Sequence, residues 1–152
     1  MLLPWRCWSV KNFVQVASDI LKKDSTTQIV LIGSPNDISL QQEFMQLLPK
    51  IYHSRINQLV GKSTLIELTQ KINELDLLVT GDTGPMHIAI ALKIPTVSLF
   101  VTATCSATGP YQNPEIHKVI LWTALSIHKH KHIMDCISPS VVIDEATHIM
   151  AH

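Results

Sequence analysis

The feature that most constrains the fold is a repeated switch of hydrophobic period. Short runs that are apolar without alternation, QIVLIG (Gln28–Gly33), DLLVT (Asp76–Thr80), PTVSLF (Pro95–Phe100) and HKVILW (His117–Trp122), are separated by stretches whose apolar residues recur at helical spacing. A strand that is apolar on both sides has to be covered on both sides. The helical stretches supply that cover, so the alternation reads as parallel βαβ units. Right-handed crossovers then place helices on both faces. The expected architecture is α/β, a Rossmann-like open parallel sheet with helices on both faces, as a single domain over residues 1–152.

The helices are placed by periodicity and by their stop signals. Ser9 is positioned to cap a helix from Val10 to Lys22, with Phe13, Val14, Ala17, Ile20 and Leu21 on one face. A second runs from Ile38 to Leu48 and is stopped by Pro49. After a short strand at Ile56–Val60 and a Gly61-Lys62-Ser63 turn, a third spans Thr64–Glu74, with Ser63 and Glu67 at its start. A fourth follows Asp76–Thr80 and extends to Leu92, and a last one starts near Pro139.

Hydrophobic residues make up 46% of the chain and charged residues 16%, enough apolar surface for a real core. Formal net charge is zero, which argues against a nucleic-acid partner, since such proteins carry a basic stripe. A small anion held by a few local donors stays compatible with it. The 3 cysteines, Cys7, Cys105 and Cys136, fit no zinc spacing and read as free thiols in a reducing compartment. MLLPWRCW lacks the form of a secretory leader, and no apolar run approaches the ~20 residues of a membrane span. The expected location is the cytoplasm, or the periphery of the inner membrane.

In open α/β sheets, ligands sit beyond the carboxyl ends of the strands. The polar loops that leave such ends here are GSPND, TGDTGPMH and VTATCSATGPY. The second is the most informative. Pro85 suits the start of a helix, where a missing N–H costs nothing. The free amides of that first turn, together with the helix dipole, suit an anion such as phosphate. Gly84 allows close approach to the backbone. Thr83 and His87 lie one helical turn apart and can face the same ligand. Neutral His87 can donate to a phosphate oxygen, whereas Asp82 would repel phosphate and suits sugar hydroxyls or loop ordering. The alternative is an ordinary capped helix whose Asp and Thr satisfy backbone donors and whose His packs locally.

Neither GxGxxG nor GxxxxGK[ST] occurs, which weakens nicotinamide, flavin and P-loop readings. His128-Lys129-His130-Lys131-His132 reads as a basic surface loop, with adventitious metal as the alternative. Trp5, Trp8 and Trp122 read as packing residues. Trp5 marks an N-terminal edge that is a candidate for self-association or for docking a missing half.

The segments DTGPMHIAIAL, KIPTVSLF and TGPY, in that order, resemble glycosyltransferase family 9, the ADP-heptose:lipopolysaccharide heptosyltransferases. RCWSVKNFVQVA, VLIGSPND, LVGKSTLIEL and DCISPSVVIDEA extend the resemblance over nearly the whole chain. Ser9 stands where the family usually has Pro, and Val101-Thr102-Ala103 where it commonly has Gly-Pro-Thr.

The resemblance implies a GT-B fold, of which this sequence matches only the C-terminal, donor-binding half. The acceptor-binding N-terminal domain, with the expected catalytic carboxylate, is then absent from this sequence. The resemblance also implies a nucleotide-sugar donor of the ADP-heptose kind and a lipopolysaccharide-core acceptor in the full enzyme, with no metal or cofactor. Asp82, Thr83, Gly84 and His87 would hold the diphosphate and sugar. Arg6 would meet phosphate, Asp37 the nucleoside ribose, and Ser63 would lie near the base. A non-catalytic nucleotide-binding or interaction module, or a truncated inactive paralogue, is the alternative.

Overall fold

Residues 8–100, 113–121 and 136–152 are described in the computed structural model of the chain. Helix α1 (Val10–Lys23) leads to strand β1 (Ile29–Leu31), helix α2 (Ile38–Leu47), strand β2 (Ile56–Gln58) and helix α3 (Leu65–Asn73). Strand β3 (Leu78–Gly81), helix α4 (Gly84–Ala91), strand β4 (Thr96–Phe100), strand β5 (His117–Leu121) and helix α5 (Pro139–Met150) follow. Short 3-10 segments at Pro35–Asp37 and Lys50–Arg55 precede α2 and β2. The alternation expected from the hydrophobic period is present, and every described pairing is parallel.

The pairing falls into two blocks, β1 with β2 and β3-β4-β5. Helix α1 joins them because it is apolar on two adjacent faces. Val16 and Ile20 pack with Val97 and Leu99 of β4 and with Val142, Ile143 and Ala146 of α5. Val14, Ala17 and Leu21 pack with Phe44 and Leu48, and with Ile29 and Leu31 of β1. Burial of each such side chain contributes about 1.5–3 kcal/mol relative to exposure.

The opposite face is set by the two-residue period of β3. Val79 turns toward the α1–α5 side, whereas Leu78 packs with Ile72 of α3 and Ala89 of α4. Consecutive residues of one strand therefore reach different helix layers, as an open sheet covered on both faces requires.

β1 departs from its expected full burial. Its residues Ile29–Leu31 are only half-buried, because its partner β2 is a short strand with exposed Asn57 and Gln58. Strand β4 is buried throughout, and it buries Thr96 and Ser98 along with Val97, Leu99 and Phe100.

Trp8 is a packing residue. It is buried, donates Nε1–H to the Ile137 carbonyl at 3.1 Å, and meets Phe13 edge-on. Arg55 closes the turn after α1, donating Nη1–H to Leu21 O and Nε–H to Thr27 O, each at 2.8 Å, and Nη2–H to Asp24 O. Cys136 is an exposed free thiol. Trp5, Cys7, Cys105, Trp122, the His128–His132 patch and the TGPY segment lie outside the described residues. No described helix is long and apolar enough to cross a membrane.

Candidate functional site

Strand β3 ends at Gly81 and α4 begins at Gly84, so Asp82 and Thr83 form the whole strand-to-helix seam. Thr83 is the N-cap residue, extended at φ −139° and ψ 169°, and its side chain makes no bond to the helix amides. Its carbonyl accepts from Met86 N at 3.1 Å, and its hydroxyl lies 3.0 Å from Thr80 Oγ1. Pro85 occupies the second helical position rather than the first, and there too it brings no N–H that needs a partner.

The capped-helix alternative had Asp82 and Thr83 satisfying backbone donors and His87 packing locally. The Thr83 side chain caps no helix amide, and His87 does not pack locally. The His87 side chain is 54% exposed, and its Nε2 lies 3.8 Å from Asp82 Oδ1, beyond hydrogen-bond reach. A Cβ built on Gly84 would meet nothing within 4 Å. Packing inside the chain therefore does not demand glycine at this position. Among the described residues, the space that a side chain would fill over the start of the helix is open, where backbone donors and the helix dipole favour an anion.

At the other end of α4, Lys93 adopts φ +60°. Its N–H bonds Ile90 O at 3.0 Å, and Ile94 N bonds Ala89 O at 2.9 Å. This is a Schellman closure with lysine in the left-handed position that glycine usually takes. It turns the chain directly into β4 and anchors the helix at its C-terminal end.

The remaining predicted positions are more dispersed. Asp37 follows β1 and is engaged locally, its Oδ2 accepting from Ser34 N at 2.9 Å and Ser34 Oγ at 3.0 Å. Gly33 makes room for that arrangement, because a Cβ there would sit 3.0 Å from Asp37 Oδ2. Ser63 follows β2 in an exposed turn. The cap of α3 is Thr64 rather than Ser63. Glu67 N donates to Thr64 Oγ1 at 3.2 Å, and Thr64 N to Glu67 Oε2 at 2.7 Å. A capping box needs the acidic residue three positions on, and Thr64 meets that spacing whereas Ser63 does not.

The loops after β1 and β2 are tied together where Gly61, at φ +71°, donates its N–H to Gly33 O at 3.0 Å. Asp37, Ser63 and the Asp82–His87 seam thus each leave the carboxyl end of a strand. Of these, the structure brings Asp82, Thr83, Gly84 and His87 together. Arg6 lies outside the described residues.

Thr80 was not among the predicted positions. It is 9% exposed, occupies the inward register of β3 and touches the Thr83 hydroxyl. The signal for it was the one polar side chain at the end of the apolar run DLLVT, just before the loop.

Comparison with known proteins places this chain in a family. The model of "Glycosyltransferase family 9 (heptosyltransferase)" matches residues 4–137. A Campylobacter jejuni subsp. jejuni serotype O:6 protein named "Lipooligosaccharide heptosyltransferase 2" is 32% identical over 146 residues, covering 91% of this chain and 45% of that protein. The solved "Structure of E. coli ADP-heptose lps heptosyltransferase II" superposes with TM-score 0.83 at 25% identity, over 97% of this chain and 43% of that one. A family 9 glycosyl transferase from Veillonella parvula DSM 2008 has the same fold, with TM-score 0.82 at 23% identity, covering 99% of this chain and 44% of that one. The chain thus spans less than half the length of the relatives it matches.

Proposed function

This chain belongs to glycosyltransferase family 9, the heptosyltransferase family, and on that premise we propose that it is the donor-binding half of a glycosyltransferase. The donor is a nucleotide diphosphate sugar of the ADP-heptose kind, and the acceptor in the full enzyme is a lipopolysaccharide or lipooligosaccharide core. The observation that carries this reading is the open start of α4. Thr83 makes no side-chain bond to the helix amides, Gly84 has clear space above it, and a half-exposed His87 stands one turn on.

In this scheme the diphosphate lies against the first-turn amides of α4, where the helix dipole favours negative charge. His87 donates one N–H to a phosphate oxygen. Asp82, set back from the diphosphate, accepts hydrogen bonds from sugar hydroxyls. Asp37 is in place to accept from the ribose, and Ser63 flanks the base. A carboxylate supplied by the acceptor-binding half removes the proton from the acceptor hydroxyl. The freed oxygen attacks the anomeric carbon, the bond from that carbon to the diphosphate oxygen breaks, and the nucleotide diphosphate leaves with the bonding pair. The role of this half is to bind the donor and to stabilise the charge that develops on the leaving group through donors already oriented toward it. The scheme calls on no metal. It places the reaction at the cytoplasmic side, in solution or at the periphery of the inner membrane.

Calorimetric titration of the folded chain with ADP tests the reading. Saturable binding, weakened by both Asp82→Ala and His87→Ala, is expected. Binding that neither substitution changes would place the nucleotide elsewhere. No binding at all would leave the chain as a non-catalytic or inactive relative.

A further inference from the structure

We propose that Thr80 is a positioning residue for the diphosphate site, acting through Thr83. The inference rests on the donor-site reading above and adds a residue to it. Thr80 Oγ1 is within hydrogen-bond distance of two oxygens, Gly81 O at 3.2 Å and Thr83 Oγ1 at 3.0 Å. Thr80 as a residue is 9% exposed, and both contacts are partly buried. Its register partner on β4 is Ser98, which is fully buried and whose Oγ has no partner among the described residues. Thr80 is therefore the inner end of a partly buried hydroxyl contact that surfaces at the seam.

The number of protons decides what this contact does. A threonine hydroxyl has one hydrogen to donate and lone pairs that accept. When Thr80 donates to Gly81 O, Thr83 has to donate inward to Thr80, and Thr83 then shows only lone pairs to the site. When Thr80 donates to Thr83 Oγ1 instead, the Thr83 proton is released outward. A phosphate oxygen selects the second arrangement, because a hydrogen bond to an anion is stronger than the neutral 3.2 Å contact given up at Gly81. In that arrangement Thr80, by donating to Thr83 Oγ1, holds the Thr83 hydroxyl in place with its proton directed at the ligand.

The helix offers the Thr83 hydroxyl no alternative partner. An N-cap hydroxyl normally accepts from the second or third helical amide. The second here is Pro85, which has no N–H, and the third is Met86, which already bonds the Thr83 carbonyl at 3.1 Å. Without Thr80, the Thr83 hydroxyl has no helix amide to turn to, and nothing described fixes the direction of its proton.

The test is ADP titration of the wild-type chain and of Thr80→Val, Thr80→Ser, Thr83→Ala and the Thr80→Val/Thr83→Ala pair. Valine keeps the branched shape of threonine and suits a strand, so the fold is retained. Thr80→Val is expected to weaken ADP about 2- to 10-fold, the effect of one modest hydrogen bond. Thr80→Ser, which restores the hydroxyl, is expected to bind as wild type. In the Thr83→Ala background, Thr80→Val is expected to add nothing. Wild-type affinity in Thr80→Val, or an equal further loss in the Thr83→Ala background, would overturn the proposal while leaving the site intact. Absence of ADP binding by the wild type would remove the site itself, and this role with it.

Discussion

Thr96 Oγ1 and His117 Nδ1 meet at 2.9 Å across the β4–β5 pairing, with Thr96 0% and His117 3% exposed. The other ring nitrogen, Nε2, is buried without a partner among the described residues. Protonation would put a charge and a second N–H where nothing described accepts it. Burial accordingly holds the His117 pKa below its ordinary value of 6.5, against a smaller opposing pull from Glu115.

The consequence is a pH-dependent stability whose sign is fixed. In the unfolded chain His117 takes up a proton as pH falls through about 6.5, while in the folded chain it resists until a lower pH. The unfolded state then binds more protons, so stability is full above about pH 6.5 and declines below it. Urea denaturation of wild type and His117→Gln at pH 8, 7, 6 and 5 measures this. The variant is expected to be less stable at pH 8 but to lose less on acidification. Parallel slopes for the two proteins would show that His117 does not contribute.

Lys93 carries a conformational cost that glycine would not. At φ +60° its Cβ sits in the left-handed region, which costs an L-residue about 1 kcal/mol. The Schellman bonds from Lys93 N and Ile94 N are backbone bonds and would survive substitution. Lys93→Gly is expected to stabilise the chain by about 0.5–1 kcal/mol. Thermal unfolding checks it, and a lower midpoint would mean that the lysine side chain makes a compensating contact.

Much of this fold is legible in the sequence. The helical period of Val14, Ala17 and Leu21 and the apolar runs are strong local signals, and the observed boundaries of α1 and β4 fall within one residue of those expected. What the pattern did not reveal is tertiary. QIVLIG looks fully buried, but its burial depends on how much of β2 exists to cover it. Ser63 and Thr64 are adjacent candidates for one cap, and only the three-residue reach of Glu67 separates them. TVSLF hides an alternation in which Thr96 and Ser98 face one way and Val97 and Leu99 the other. Since both faces are buried, the polar side was indistinguishable from core. The seam itself was legible as a motif, while the Thr80 contact depends on a register the sequence does not state.

Arg55 anchors the turn after α1 through its fork of donors to Leu21, Asp24 and Thr27 carbonyls. Arg55→Met keeps the apolar stem but leaves partly buried acceptors unpaired, and is expected to cost about 1–3 kcal/mol. Arg55→Lys should recover little, because a single ammonium cannot reproduce the planar fork. Urea midpoints for both variants decide it. Full recovery by lysine would mean that charge, not geometry, matters there.

Gly84 separates binding from folding. Its backbone is not in the left-handed region, and a Cβ there has open space. Gly84→Ala is therefore expected to leave the thermal midpoint unchanged or slightly raised, since alanine is the better helix former. The added methyl occupies the place where a diphosphate would lie against the amides. ADP affinity is expected to fall by about tenfold or more, as a lost charge-assisted contact implies. A variant that binds ADP as well as wild type would move the ligand away from this helix start.

The central claim is that the seam from Thr80 to His87 is where a nucleotide diphosphate binds. The most direct measurement is the ADP titration of isotope-labelled chain followed by amide resonances. The account predicts saturable shifts that are largest at Thr83, Gly84 and His87 and grade away along α4, with the Gly84 amide moving most. Shifts confined to other loops, or resonances at the seam that do not move as ADP is added, would contradict it.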